Sequence, residues 1–570
     1  MSDRAPALVI LGEGSLATAR RVQAAFAGAT IHGLAGRAAG ADAAFEKFGA
    51  ALRQLFQDDV PIVAFCAAGI VIRTLAPLMR DKRVEPPVIA VAADGSAVVP
   101  LLGGLRGVND LARAIGSALG VAPAITTTGE VRFAATLESP PVGYELRDPG
   151  AGKRFMSDLL AGEKIRLVGN APWLTQTRLP FDPKGRLSIV ITPHETEPKE
   201  RELVFHPRSV AVAVLGGHAD LPRLVTEALA RQTLSPQAVG AVIAAERDAA
   251  DPDVHAVAVA LGRPVRFVAV ASPSPAGLVR AAVADPVEEP VVESALAIAV
   301  AASPLDANSI GRGRGRLAVV GLGPGANGWM APDARRELAS AEDIVGYQAY
   351  VRMAGPFRGD QVVHASDNRE EMDRARQALG LAASGRSVAV VSSGDPGIFA
   401  MAAAVMEALH ASTEPAWHGV ELVVIPGISA AQAAAARAGA PLGHDFCVLS
   451  LSDNLKPWEA IERRLDHAAA ADLALALYNP TSAARPCQLG RAIEIVRAHR
   501  KPATPVVLGR DIGRPGETIK IVTVATLSPA DVDMRTVIII GSSTTQVFPK
   551  LGGTTWAYTP RWYPTPDGQT

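Results

Sequence analysis

Apolar residues in this chain gather in short β-branched runs, and each run gives way to an Ala- and Leu-rich stretch with helical spacing. ALVILG (7–12) predicts a buried strand and residues 15–26 a helix. PIVAFCAAGIVIRTLAPLMRDK (61–82) repeats the order of strand, Gly turn and helix. PVIAVAADGSAVVPLL (87–102) adds an Asp94-Gly95 hairpin signal, followed by the Gly-rich GGLRG loop and a further helix. Residues 139–207 break the rhythm, because Pro and charge interrupt them; strands are expected at IRLVG (165–169) and LSIVIT (187–192). The alternation resumes over 208–303 with VAVAVLGG, AVGAVIAAER and PVRFVAV, with helices expected from 221 to 231 and around 255–261. Residues 304–315 have no apolar period and read as a linker rich in Gly, Ser and Asn.

From Arg316 onward the pattern sharpens. RLAVVGLGPG runs from an apolar strand into GLGPG (321–325), and SSGDPGIF (392–399) and VIPGISA (424–430) repeat the move. Each loop ends an apolar run and opens a helical pattern. In open α/β sheets, ligands bind at the carboxyl ends of strands, so three Gly/Pro loops in series imply a cofactor site built largely from backbone. A dinucleotide fingerprint is a poor match, since GLGPG lacks the G-x-G-x-x-G spacing. Later strands are expected at HDFCVLSL, DLALALY, TPVVLGR, IKIVTVA and TVIIIG, and the tail 557–570 is expected to be disordered.

The expected class is therefore multidomain α/β. The units are 1–138, 139–207 and 208–303, then the linker 304–315 and a two-lobed region 316–556 that divides near residue 439. The 570 residues are too many for one ordinary core. With 56 basic against 57 acidic residues and no Lys/Arg stripe, charge gives no support for nucleic-acid binding. Cys66, Cys447 and Cys487 are far apart, which suits a reducing, cytoplasmic setting and gives no metal-ligand spacing. The N-terminus does not read as a signal peptide, and no apolar run is long enough to predict a membrane span.

The loops resemble those of the tetrapyrrole methylases, the class III S-adenosylmethionine methyltransferases. SAEDIVGYQAYV (340–351), PLGHDFCVLSLSDNLKPW (441–458), ALYNP (476–480) and IIIGSSTTQ (538–546) resemble in particular the subgroup that methylates carbon 17 of precorrin-3B. The resemblance implies S-adenosylmethionine as cofactor, a precorrin as substrate, methylation with ring contraction to precorrin-4, and a homodimer. It places cofactor contacts on Pro324, on Ser393, Gly394 and Asp395 with Ile398, on Ser429 and Ala430, on Tyr478 and Asn479, and on Gly509. Asp395 and His444 are the candidate catalytic groups, although Asp395 could instead cap a helix and His444 could be structural. Arg352, Arg369, Arg374 and Lys456 are candidates for a cationic rim around the substrate's carboxylates, or for solvated helix faces.

AAGIVIRTLAPLMRDK, VPLLGGLRGVNDLA and AITTT resemble the cobalt-precorrin-5A hydrolases, and 208–303 resembles their C-terminal module. Three features depart from that family. Leu105 stands where a His is usual, Gly129-Glu130 replaces an Asp, and LGGHADLP and Glu246-Arg247-Asp248 replace expected basic residues. Glu130, Asp110 and His218 remain as possible acid/base groups or as surface and cap residues. Two further readings follow: a two-activity enzyme of the anaerobic route with cobalt in the ring, or an N-terminal half that binds corrinoids without catalysis.

Overall fold

The computed structural model describes residues 4–284, 286–367, 370–482 and 485–563. The first sheet has six strands in the order Ala43–Phe45, Thr30–Leu34, Ala7–Ile10, Ile62–Phe65, Val88–Val91, Val98–Leu102. The last two form the Asp94-Gly95 hairpin, so the GGLRG loop returns to the amino ends of the parallel strands. The region 139–207 is more regular than its composition suggests. It forms a four-stranded sheet, with Tyr144–Leu146 and Glu202–Pro207 beside the two expected strands. Its core also takes Phe133 and Leu137 from before residue 139. The third sheet centres on Val210–Val214 and Val239–Ala245, both wholly buried.

The linker is not loose. Arg312–Gly313 pairs antiparallel with Val265–Val268 as the outer strand of the third sheet. Arg266 donates to the carbonyls of Ile310 (2.7 Å) and Gly311 (3.0 Å), and Ile310 is buried. The glycines that suggest slack are there for close approach. A Cβ on Gly311 would lie 2.1 Å from the Phe267 carbonyl oxygen, and one on Gly315 1.7 Å from that of Ala382.

Beyond the linker, five parallel strands run in the order Val362–Ser366, Asp343–Tyr347, Ser387–Ser392, Arg316–Gly321, Glu421–Ile425. The second lobe holds a mixed sheet, ordered Phe446–Ser450, Ala474–Tyr478, Thr536–Ile540, Pro505–Arg510, Thr518–Thr523. A three-stranded sheet joins Gly439–Ala440, Thr555–Tyr558 and Gln546–Pro549. The expected tail therefore begins too early. Thr555–Tyr558 is a strand, Thr559 is buried and donates to the Pro441 carbonyl (2.6 Å), and the Tyr563 hydroxyl donates to Asp472 (2.9 Å). Residues 564–570 lie outside the described residues.

Candidate functional site

The strand Arg316–Gly321 sits between Ser387–Ser392 and Glu421–Ile425 with their carboxyl ends level, Gly321 opposite Ser392 and Val320 opposite Ile425. This register brings the three Gly/Pro loops together. Gly323 and Gly394 exchange backbone hydrogen bonds, N–H to oxygen at 3.1 and 2.8 Å, with both residues in the left-handed region. Behind them Gly321 and Gly427 lie so close to each other and to the Gly394 carbonyl that neither has room for a side chain. A Cβ on Gly427 would lie 2.1 Å from the Gly394 oxygen, and one on Gly321 2.7 Å from the Gly427 nitrogen.

Asp395 fastens this knot. Its two carboxylate oxygens accept from the backbone N–H groups of Gly397 (2.8 Å) and Gly427 (3.1 Å), tying the second loop to the third. Both oxygens are thus engaged by backbone, and the side chain braces the second loop against the third. Ser429 caps the helix Ala430–Ala438 in a reciprocal box with Gln432. The Tyr478 hydroxyl accepts from the Ala431 N–H (2.8 Å), joining the second lobe to that helix. Asn479, also left-handed, donates to the Ser450 hydroxyl (3.0 Å). Gly509 lets the same helix lie on its strand, since a Cβ there would meet that of Ala434 at 2.6 Å. Ile398, Phe399 and Ile428 stay exposed beside the knot as an apolar shelf. The Phe399 ring packs edge-on to Tyr478, with centroids 5.6 Å apart.

The rim residues separate. Lys456 stands 5.8 Å from the Phe399 ring centroid. Burial, then the Arg464 charge, pulls its ammonium below the ordinary lysine value. Arg352 is exposed on Gln348–Ala354, the helix that follows the neighbouring strand. Arg374 is not on a rim. It is 3 % exposed and donates inward to the Ser366 hydroxyl (2.9 Å) and the Asp367 carbonyl (2.5 Å). Its helical spacing suits a solvated face, but it lies on the buried face of Glu371–Ala383. Arg369 lies outside the described residues. His444 precedes the strand Phe446–Ser450, whereas Ser450 and Tyr478 lie at the carboxyl ends, so a strand of about 16 Å separates it from the knot. There it packs against Tyr563, so the sequence grouping of His444 with Asp395 is not a spatial one. One residue at the site had no sequence signal strong enough to single it out: Arg514, which reaches the first two loops.

In the N-terminal half two of the three possible acid/base groups, Asp110 and Glu130, are engaged. Arg113 bridges Asp110 (2.7 Å) and Glu130 (3.1 Å). Beside His218, the carboxylates of Asp248 and Asp251 accept from the Gly216 (3.1 Å) and Gly217 (2.7 Å) N–H groups. Clefts of about 250 and 680 Å³ flank Arg106, next to Leu105. Arg106 itself pairs with Asp59.

The chain matches known families in two places. The family described as Tetrapyrrole (Corrin/Porphyrin) Methylases matches residues 316–528, and Cobalamin synthesis G N-terminal matches 50–130. The chain belongs to the tetrapyrrole methylase family. It is similar to the Precorrin-3B C(17)-methyltransferase of a Sinorhizobium species, 51% identical over 249 residues that cover 44% of this chain and 97% of that one. It is also similar to the Cobalamin biosynthesis protein CobIJ of Mycobacterium tuberculosis, 51% identical over 254 residues. That match covers 44% of this chain and 49% of CobIJ, so the chain spans about half the length of that relative. Among solved structures, that of the methyltransferase CobJ is 49% identical, covering 43% of this chain and all of the other with a TM-score of 0.41.

Proposed function

We propose that residues 316–556 use S-adenosylmethionine to methylate carbon 17 of precorrin-3B, with ring contraction to precorrin-4 in cobalamin biosynthesis. The observation that carries this reading is the knot of Gly321, Gly394 and Gly427 at the carboxyl ends of three adjacent strands. A side-chain-free junction beside the apolar shelf of Ile398, Phe399 and Ile428 fits a cofactor with a charged amino-acid end and a flat heteroaromatic base. When bound, that cofactor supplies an electrophilic methyl group on a sulfonium. The protein's part is to hold and align the two reactants and to keep water out.

Asp395 fixes the second loop against the third, and Ser429 and Tyr478 fix the start of the following helix. Pro324, Ser393, Gly394, Ala430 and Asn479 complete the backbone wall in this reading, with the Phe399 ring packed edge-on to Tyr478 beside it. Lys456 and Arg352 face the substrate's carboxylates. A cytoplasmic homodimer is part of the same reading; Val547, Phe548 and Phe446, exposed on edge strands of the second lobe, support a partner there.

For the N-terminal half the reading is a non-catalytic corrinoid holder rather than a hydrolase. Leu105, the Arg113 bridge and the self-filled loop at Gly216 and Gly217 support it. The test is anaerobic incubation of the full chain with S-adenosylmethionine and precorrin-3B, with the cobalt-bearing form in parallel, followed by mass spectrometry. A gain of one methyl group on the metal-free substrate is expected. Methylation of the cobalt form alone would favour the two-activity, anaerobic reading, and no methylation of either would sink both.

A further inference from the structure

Arg514 belongs to a turn of the second lobe, yet its guanidinium ends among the loops of the first. Nε donates to the Pro324 carbonyl (2.8 Å) and one Nη to the Ser393 hydroxyl (2.9 Å), so a single side chain spans the GLGPG and SSGDPG loops. The seat is shaped for it. A Cβ on Gly325 would lie 2.6 Å from the Arg514 Cγ, and Gly325 has a positive φ of 135°. A Cβ on Gly513 would lie 3.1 Å from the Pro324 ring.

The turn itself is braced. The Gly513 N–H donates to Glu517 (2.7 Å), and Glu517 also pairs with Arg437 (2.7 Å). Arg437 in turn lies over the Trp329 ring at 4.4 Å, on the segment that follows GLGPG. The carboxyl end of the first loop and the segment that follows it are therefore each held by an arginine from beyond the third loop. Neither contact is needed to close the knot, which already has its own backbone bonds. What the contacts add is a fixed distance between the first two loops and the second lobe.

We infer that Arg514 is a positioning residue for the cofactor loops, and that it makes cofactor affinity depend on the second lobe. This rests on the methyltransferase reading above. A guanidinium fork is suited to the task because its donors leave in fixed directions from a planar group. A lysine would deliver one flexible ammonium to the same place.

The experiment uses the full chain and S-adenosylhomocysteine as calorimetric probe, with steady-state kinetics beside it. Arg514→Ala is expected to weaken binding of the probe at least 10-fold and to raise KM for S-adenosylmethionine by a similar factor. kcat and the KM for the tetrapyrrole should change less than 2-fold, a split that general loss of folding would not give. Ser393→Ala is expected to weaken binding about 3-fold, and the double variant to be no worse than Arg514→Ala, since both remove one contact. Arg514→Lys should recover part of the loss and stands in if the alanine variant does not fold. Unchanged binding in Arg514→Ala, or losses that multiply in the double variant, would overturn the inference while leaving the methyltransferase reading intact. Absence of binding by the unaltered chain would overturn both.

Discussion

A methyl group on Gly427 would have to sit 2.1 Å from the Gly394 carbonyl oxygen and 3.0 Å from the Gly321 backbone. Neither neighbour is a side chain that can rotate away. Gly427→Ala should therefore spread the loops, costing about 1–3 kcal/mol of stability and at least 10-fold in S-adenosylhomocysteine affinity, read by thermal melting and calorimetry. Asp395→Ala removes two charge-assisted bonds without adding volume. Its expected signature is a 10- to 100-fold loss of the same affinity with a smaller change in melting temperature. Equal affinity for this variant would mean that the strut is not part of the cofactor wall. At this scale the sequence was legible where chemistry sits in backbone, because Gly and Pro announce where the chain must turn. Long side chains were less legible. Arg374 and Arg514 both occur beside charged or Gly-rich neighbours, and nothing local says that one turns inward and the other crosses to another lobe.

Asp343, the first residue of its strand, is 1 % exposed and joins three strands at their amino ends. His364 from one neighbour bonds it at 2.8 Å, and Arg386 at the start of the other pairs with its second oxygen. Burial alone would raise this carboxyl, but the Arg386 and His364 bonds outweigh it and hold the group below the ordinary aspartate range. A depressed folded value means that the stabilisation is present above the unfolded value, near pH 4, and is lost as pH falls through the folded one. Asp343→Asn should cost about 2 kcal/mol at pH 7, a figure reduced because Arg386 is partly exposed. The gap between variant and parent should close as pH falls below 4 in urea melts, and a constant gap would exclude the ion pair as its source. Elements with wholly apolar runs, such as Val210–Val214, were plain from sequence. Tyr144–Leu146 and Arg312–Gly313 were not, since strands this short owe their pairing to partners far along the chain.

At the scale of the molecule, the loop Glu246–Asp248, where basic residues were expected, serves as a seat for the methylase. The short helix Pro415–His418 packs on it, and a Cβ on Gly419 would lie 2.2 Å from the Ala249 carbonyl oxygen. Arg335 reaches Gln54 of the first unit at 2.8 Å. Gly419→Val should force the seat apart, giving faster proteolysis within 303–316 and a larger radius of gyration in solution scattering. S-adenosylhomocysteine affinity should stay within 2-fold. An unchanged cleavage rate would show that other contacts hold the halves. The sequence could announce that these units were joined but not how they sit, because a docking surface uses ordinary residues with no period of their own. The connection 304–315 carries the widest consequence. A load on a loose string can swing to its neighbour, but here the string is stitched into a sheet at Arg312–Gly313 and wedged under a helix at Gly315. The halves work less like a courier and a receiver than like two benches bolted to one floor, and whatever passes between them must cross a gap that the fold has already set.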